Sequence, residues 1–248
     1  GQRRCRRACA LGAAVLTLVV GSAVVPAAPA NAVDREVTGA DQEYYPYYQL
    51  ASLHSQGYTG EGAIIAMIDG HVNPNIPELA GATIENKSPC TVRSLPENAD
   101  HGTAVAQVLV APKFGVAPGA TLYTYDLGYS EEEVGADCAT AGVYARGEAD
   151  TSLLIEQAIN DGAHIISISS NYPLYNEDLR WAMARAISQG VIVVAAMGNE
   201  STEDPADTLP MWSGICGVGA INADGSLTEY SNWGNGVETV ALGKIIVR

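Results

Sequence analysis

Short apolar runs alternate with amphipathic segments from residue 63 onward, and this alternation restricts the fold of the chain more than any other feature. A continuous apolar run predicts a buried strand, and apolar residues at helical spacing predict a helix with one buried side. The predicted strands are Ala63–Ile68, Thr121–Leu127, Ile165–Ile168, Val191–Ala196, Ile215–Ala220 and Val237–Leu242. The predicted helices are Tyr47–Gln56, His101–Ala111, Asp150–Asp161 and Asn176–Gln189. Strands separated by such helices predict an α/β fold with three layers, in which a mainly parallel sheet lies between helices.

The composition of the 248 residues fits one folded domain. Hydrophobic residues make up 47% and charged residues 17%, which excludes a disordered chain and a coiled coil. The formal net charge is −15, and so acidic a surface repels phosphate backbones, so no nucleic-acid partner is expected. The polar stretches Lys87–Ala99 and Ser130–Ala149 are predicted to be surface insertions.

The first 32 residues have the pattern of a secretory signal. A basic stretch, Gln2–Arg7, precedes the apolar run Ala8–Val25 and an Ala-rich segment that predicts cleavage after Ala32. An uncleaved membrane anchor is the alternative, since about 18 apolar residues can just span a bilayer. We expect residues 1–32 to be a signal peptide, 33–57 an N-terminal arm and 58–248 a single domain of a secreted protein.

The cysteines also fit an exported protein, in which thiols tend to oxidise. Cys5 and Cys9 lie in the predicted signal, which leaves three others. Cys90 and Cys138 lie in polar, loop-like stretches and are the pair that we expect to form a disulfide. Cys216 lies in an apolar run and is expected to be a buried free thiol.

Three polar residues follow a predicted strand or open a predicted helix. Parallel sheets bind their ligands at the carboxyl ends of the strands, so these residues are candidates for a functional site. Asp69 directly follows the first predicted strand, His101 opens a predicted helix, and Asn199 follows Val191–Ala196. Each residue also has a structural interpretation. A buried acid needs a hydrogen-bond partner, a histidine at a helix start often faces solvent, and Gly-Asn after a strand is often a turn.

Together with their neighbours, these residues resemble the subtilisin-like serine proteases. The matching segments around them are Ile65–Asp69, His101–Ala106 and Val194–Glu200, in that family's order of aspartate before histidine. Further matching segments are Thr59–Gly62, Gly115–Ala120, Val218–Ala220, Tyr230–Gly234 and Val240–Gly243. The resemblance covers residues 57–243 and implies a subtilisin-like fold, with hydrolysis of peptide bonds by an Asp-His-Ser triad.

The resemblance implies a role for each matching residue. Asp69 orients the ring of His101 and stabilises its charged form, and His101 is the general base. Asn199 donates a hydrogen bond to the developing oxyanion. The implied substrate-binding residues are Ser169, Ser170 and Asn171, which would pair with an extended peptide, and Ala195, Ala196 and Gly198, which would wall the specificity pocket. The implied partner is a polypeptide substrate, and a monomer is expected.

Two departures from the family pattern bear on these expectations. Gly70 and His71 follow the aspartate, where the family has Thr or Ser and then Gly, and we expect His71 to have a loop role. The nucleophile segment Gly-Thr-Ser-x-Ala-x-Pro does not occur, so we expect a domain that is incomplete at its C-terminus and does not cleave peptides by itself. Such a domain would leave Ile64–Ile68 and Val191–Ala196 uncovered on one face of the sheet.

Two other functions are compatible with these residues. A secreted, inactive pseudoprotease would bind extended peptides along Ser169–Asn171. A metal site could use Asp69, His71 and His101, although their spacing matches no standard zinc motif. No cofactor is expected; calcium bound by an acidic loop is the alternative, although no loop has the ligand pattern of a calcium site. We expect the protein outside the cell, either free or associated with the cell envelope.

Overall fold

The computed structural model describes residues 31–32, 35–130, 132–141, 151–170, 177–203 and 208–247. Its strands are β1 (Asn31–Ala32), β2 (Ile64–Asp69), β3 (Thr83–Asn86), β4 (Thr121–Asp126), β5 (Ile165–Ile168), β6 (Ile192–Ala196), β7 (Ile215–Ile221), β8 (Thr239–Leu242) and β9 (Ile246–Val247). Its helices are α1 (Tyr44–Tyr47), α2 (Leu50–Ser55), α3 (Pro96–Val110), α4 (Ala136–Ala141), α5 (Thr151–Asn160) and α6 (Glu177–Ser188). Apart from Asn31–Ala32, the predicted signal lies outside the described residues.

Seven strands form one sheet in the order β3-β4-β2-β5-β6-β7-β8, and every pairing in it is parallel. The short strands β1 and β9 pair separately. The chain winds toward one edge of the sheet after β2 and toward the other edge after β4, so the direction of winding changes around β2. In open parallel sheets, ligands bind beyond the carboxyl ends of the strands at such a point.

Apolar side chains on the two faces of the sheet form two separate cores. On one face, Ile68 and Ile166 pack against residues of α5 and α6. On the other, Met67 packs with Val110 of α3 and with Leu122. Met67 and Ile68 belong to different cores because successive residues of a strand point to opposite faces. The predicted three-layer α/β fold is therefore confirmed.

One half of the sheet is open on the face opposite α5 and α6. Ile192 of β6 is 57% exposed, and Val194 and Cys216, which lie on the same face, are only partly buried. The prediction that Val191–Ala196 is uncovered on one face therefore agrees with the structure. It is wrong for Ile64–Ile68, because α3 covers this face of β2. The prediction of a buried thiol at Cys216 is also wrong, since nothing among the described residues fully covers it.

Three elements differ from the sequence prediction. The edge strand β3 has no apolar run and was not predicted, since most of its residues are exposed. Helix α3 begins at Pro96, five residues before the predicted start at His101, so its first turn lies in a stretch predicted to be a loop. The predicted helix Tyr47–Gln56 is divided at Gln49, whose φ of 54° is left-handed.

The N-terminal arm packs on the end of the sheet that holds β8. Tyr44 and Leu50 are buried with Leu242, the last residue of that strand. The hydroxyl of Tyr48 accepts a hydrogen bond from the backbone N–H of Leu242 at 3.0 Å. The side-chain amide of Gln42 donates to and accepts from the backbone of Ile246. Every helix among the described residues is too short or too polar to span a bilayer.

The same isoleucine-to-alanine substitution should change the free energy of unfolding differently on the two faces of the sheet. Ile166→Ala removes a fully buried side chain between the sheet and its helices, and we expect a loss of about 2–5 kcal/mol in the free energy of unfolding. Ile192→Ala removes an exposed side chain and should change that free energy by no more than about 0.5 kcal/mol. Urea unfolding followed by circular dichroism measures both, and equal losses would contradict the described layering.

Candidate active site

The candidate site lies at the carboxyl edge of the sheet. Strand β2 ends at Asp69, which pairs in register with Asp126, the last residue of β4. Strand β5 ends at Ile168, just before Ser169, and β6 ends at Ala196, three residues before Asn199. Because parallel strands end at the same edge, residues that are distant in sequence collect there.

The side chains of Asp69 and His101 are in direct contact. His101 Nδ1 donates to Asp69 Oδ1 at 2.7 Å, and the backbone N–H of Gly70 donates to the same oxygen at 2.7 Å. The Asp69 side chain is fully buried, whereas that of His101 is 27% exposed. We place the shared proton on Nδ1 because a carboxylate only accepts. This leaves Nε2 of His101 as the ring atom that can receive a proton.

Two opposing effects set the pKa of His101. Burial of the ring works to lower its pKa, but the hydrogen bond and the negative charge of Asp69 outweigh burial and raise the pKa above the ordinary 6.5. A carboxylate that holds Nδ1 and favours the imidazolium form is the arrangement in which the histidine of a catalytic triad acts as a general base.

A close approach between α3 and the end of β2 makes this contact possible. A Cβ atom on Gly102 would lie 2.0 Å from the carbonyl oxygen of Gly70, and one on Gly70 would lie 1.9 Å from the carbonyl oxygen of Asn98. Neither position tolerates a side chain unless the helix moves. His101, next to Gly102 in the second turn of α3, is thereby brought within reach of Asp69.

The segments predicted to be surface insertions hold the start of α3. Glu133 is buried, and its carboxylate accepts hydrogen bonds from the backbone N–H of Leu95 at 2.7 Å and from the amide of Asn98 at 2.8 Å. A carboxylate at a helix N-terminus also interacts favourably with the helix dipole. In the structure Cys90 and Cys138 form a disulfide, which links the chain before α3 to α4.

A buried amide that the sequence reasoning missed shapes the loop of Asn199. Asn232 Oδ1 accepts from the backbone N–H groups of Glu200 at 3.0 Å and Thr202 at 3.2 Å, and its Nδ2 donates to the carbonyl of Met197 at 3.1 Å. Its Nδ2 also donates to the carboxylate of Glu200 at 2.6 Å, and that carboxylate accepts from the backbone N–H of Asn199 at 3.0 Å. Asn232 lies in the matching segment Tyr230–Gly234, but an Asn in a turn-rich stretch carries no further signal of this role.

The predicted substrate-binding residues have different environments. Ser169 and Ser170 are partly buried beyond the end of β5, and Ala196 and Gly198 are partly buried beside the open face. The side chain of Ala195 is buried in the core with α5 and α6, so only its backbone can contact a substrate. Asn171 lies outside the described residues.

A second histidine–aspartate pair lies beside the first. His71 Nδ1 hydrogen-bonds to Asp126 Oδ2 at 2.8 Å, and the amide of Asn86 donates to the same oxygen at 2.9 Å. His71 therefore pairs with Asp126, whereas the metal hypothesis grouped it with Asp69 and His101. Within the described ranges, no three His, Cys, Asp or Glu side chains come together in a way that suits a metal ion.

Comparisons with family models, with curated proteins and with solved structures all identify subtilases or subtilisin-like proteases as relatives. The model of the subtilase family matches residues 60–245. Subtilisin E of Bacillus subtilis is 28% identical over 203 residues, which cover 77% of this chain and 49% of that protein. Subtilisin Savinase of Lederbergia lenta is 30% identical over 208 residues, which cover 79% of this chain and 69% of that protein. The solved structure of the prenylagaramide maturation protease PagA superposes with a TM-score of 0.58 at 26% identity and covers 75% of this chain and 64% of PagA. The chain spans about half the length of several curated relatives that it matches.

The raised pKa of His101 can be tested by NMR titration of the imidazole signals. The midpoint of His101 should lie above 6.5, and Asp69→Asn should lower it because the variant removes the negative charge. Since the folded-state pKa is the higher one, the stabilisation from this pair is fully present below pH 6.5 and lost as the pH rises through the folded-state value. The difference in unfolding free energy between the wild type and Asp69→Asn should therefore shrink with rising pH.

A His101 midpoint that is unchanged by Asp69→Asn would contradict the described pair.

The close contact between Gly70 and Gly102 predicts that a methyl group added at Gly102 strongly destabilises the fold. Gly102→Ala should lower the unfolding free energy by about 1–3 kcal/mol or more and bring the titration midpoint of His101 closer to its ordinary value, because α3 must shift away from Asp69. Gly219→Ala is the matched control, since its nearest neighbours would lie at an ordinary 3.5 Å. If both variants unfold at the same urea concentration, the close approach does not constrain the site.

Proposed function

The chain belongs to the subtilase family, a family of serine-type hydrolases. We propose that it provides the aspartate and the histidine of the catalytic triad and the oxyanion donor of an exported serine endopeptidase. The observation that carries the proposal is the buried carboxylate of Asp69 on Nδ1 of His101, with the opposite ring nitrogen directed away from it. No hydrogen-bond partner occupies that nitrogen among the described residues, so it is available to a nucleophile.

The proposed mechanism assigns a role to each residue. His101 Nε2 accepts the proton of a serine hydroxyl as the oxygen attacks the peptide carbonyl, and then gives this proton to the leaving amine. Asp69 keeps the ring in its tautomer and stabilises the imidazolium that forms between the two steps. The side-chain amide of Asn199 donates to the oxyanion, and Asn232 keeps its loop in shape.

The nucleophile is not assigned to a serine of this sequence. The family segment Gly-Thr-Ser-x-Ala-x-Pro does not occur in the 248 residues. Ser231 matches a structural turn, and its buried hydroxyl donates to the carbonyl of Asn232. The hydroxyl of Ser226 donates to Asp224. The experiment therefore uses the complete protein that the gene encodes.

We further propose that the protein acts outside the cell, as a monomer, on polypeptides. The signal-like pattern of residues 1–32 and the Cys90–Cys138 disulfide support export. The net charge of −15 favours polypeptides over nucleic acids as partners.

Labelling with a fluorophosphonate tests the proposal directly, because the probe reacts with an activated serine. The complete wild-type protein should be labelled, and His101→Ala should abolish labelling; in subtilisin, loss of the triad histidine lowers turnover by roughly 10⁶-fold. Labelling of the wild type should increase as the pH rises above 6.5, because the general base works as neutral imidazole and its pKa is raised.

His71→Ala is the matched control, since it removes the histidine of the neighbouring pair with Asp126. This variant should remain labelled. If the complete protein is not labelled but binds extended peptides, it is a peptide-binding pseudoprotease, and the endopeptidase proposal is wrong. If labelling depends on His71 and not on His101, the assignment of the base is wrong.

A further inference from the structure

A slot one strand wide opens beyond the end of β2. Strand β2 lies between β4 and β5, and its pairing with them ends at Asp69 and Ile68. At Gly70 the chain turns out of the sheet toward α3, against which it packs closely. The chains that continue β4 and β5, residues 127–130 and 169–170, are therefore separated by the width that one strand occupies elsewhere in the sheet. An extended peptide can enter this slot as an added strand.

A hydrogen bond between two side chains crosses the slot. The hydroxyl groups of Tyr129 and Ser170 lie 2.6 Å apart, although two strand spacings, about 9–10 Å, separate β4 from β5. A long side chain from one wall thus reaches a short one from the other. The backbone N–H of Tyr129 donates to the buried carboxylate of Glu133 at 2.7 Å, which fixes the position of the tyrosine.

This crossing lies on the face of the sheet opposite the catalytic pair. The ring of Tyr129 packs against the core formed with α5 and α6, the core that also contains Leu127 and Ile168. Asp69, in contrast, shares its face with Met67 and reaches His101 on α3. Successive side chains of an extended peptide alternate between the two faces. One residue of a bound peptide therefore faces α3, and its neighbour faces the hydrogen bond between Tyr129 and Ser170.

We propose that Tyr129 and Ser170 determine substrate specificity, by closing the α5/α6 side of the slot so that only a small residue is accepted at the peptide position that faces them. The proposal rests on the proposed endopeptidase function and adds a rule about its substrates. A bulky residue at that position must break the hydrogen bond and displace the Tyr129 ring from apolar contacts. A residue at the neighbouring positions meets no such obstacle.

The test scans a single leucine through an alanine-rich peptide and measures kcat/KM for the complete protein. At one position leucine should lower kcat/KM at least about 10-fold relative to alanine, since small steric differences in a pocket change rates by about 10–200-fold. Tyr129→Ala should remove this penalty at the same position. Ser170→Ala should reduce it, because the ring loses the partner that holds it across the slot. Tyr58→Ala, which truncates an exposed tyrosine elsewhere, should leave the profile unchanged.

A binding measurement separates this inference from the proposed function. Fluorescence anisotropy with the same peptides, labelled, and the His101→Ala protein reports affinity without cleavage. A leucine penalty in Kd that Tyr129→Ala removes supports the inference even if the wild type cleaves nothing. Cleavage or binding with the same leucine penalty in wild type and Tyr129→Ala overturns the inference and leaves the proposed function intact. If the complete protein is labelled by the fluorophosphonate but neither binds nor cleaves any of the peptides, the inference is wrong and the proposed function stands.

Discussion

The candidate site depends on how closely α3 approaches the end of β2. The contact between Gly70 and Gly102 removes the side chains that would keep helix and strand apart, and only then can a histidine in the second turn of α3 reach a carboxylate at the strand end. The start of the same helix is held from outside the sheet by the carboxylate of Glu133. The packing distance between α3 and β2 therefore sets the distance between His101 and Asp69, so a displacement of the helix would lengthen their hydrogen bond.

Much of this arrangement could be predicted from the sequence. Continuous apolar runs identify the inner strands, and parallel strands necessarily bring Asp69 and the loop of Asn199 to one edge. The polar edge strand β3 could not be found in this way, because its residues are mostly exposed and have no apolar pattern. The early start of α3 was missed for a related reason: Glu133, a residue distant in sequence, provides partners for its first turn.

Side-chain networks were the least predictable part of the site. Asn232 stabilises the Asn199 loop through bonds to backbone groups 30 or more residues away, and no periodicity in the sequence reports such a contact. The same holds for the pairing of His71 with Asp126 instead of with Asp69. Propensity and periodicity describe local backbone structure, whereas these bonds depend on where the completed sheet brings distant loops.

The second oxygen of Asp69 gives the site its electrostatic character. Oδ2 is buried and has no hydrogen-bond partner among the described residues, while Oδ1 has two. A carboxylate held in so poorly solvated a place has a high self-energy, and a positive charge placed next to it relieves more of that energy than water could. The incomplete solvation of Oδ2 therefore increases the affinity of the His101 imidazole for a proton. The folding free energy of the domain keeps this oxygen buried, so the effect is built into the folded state.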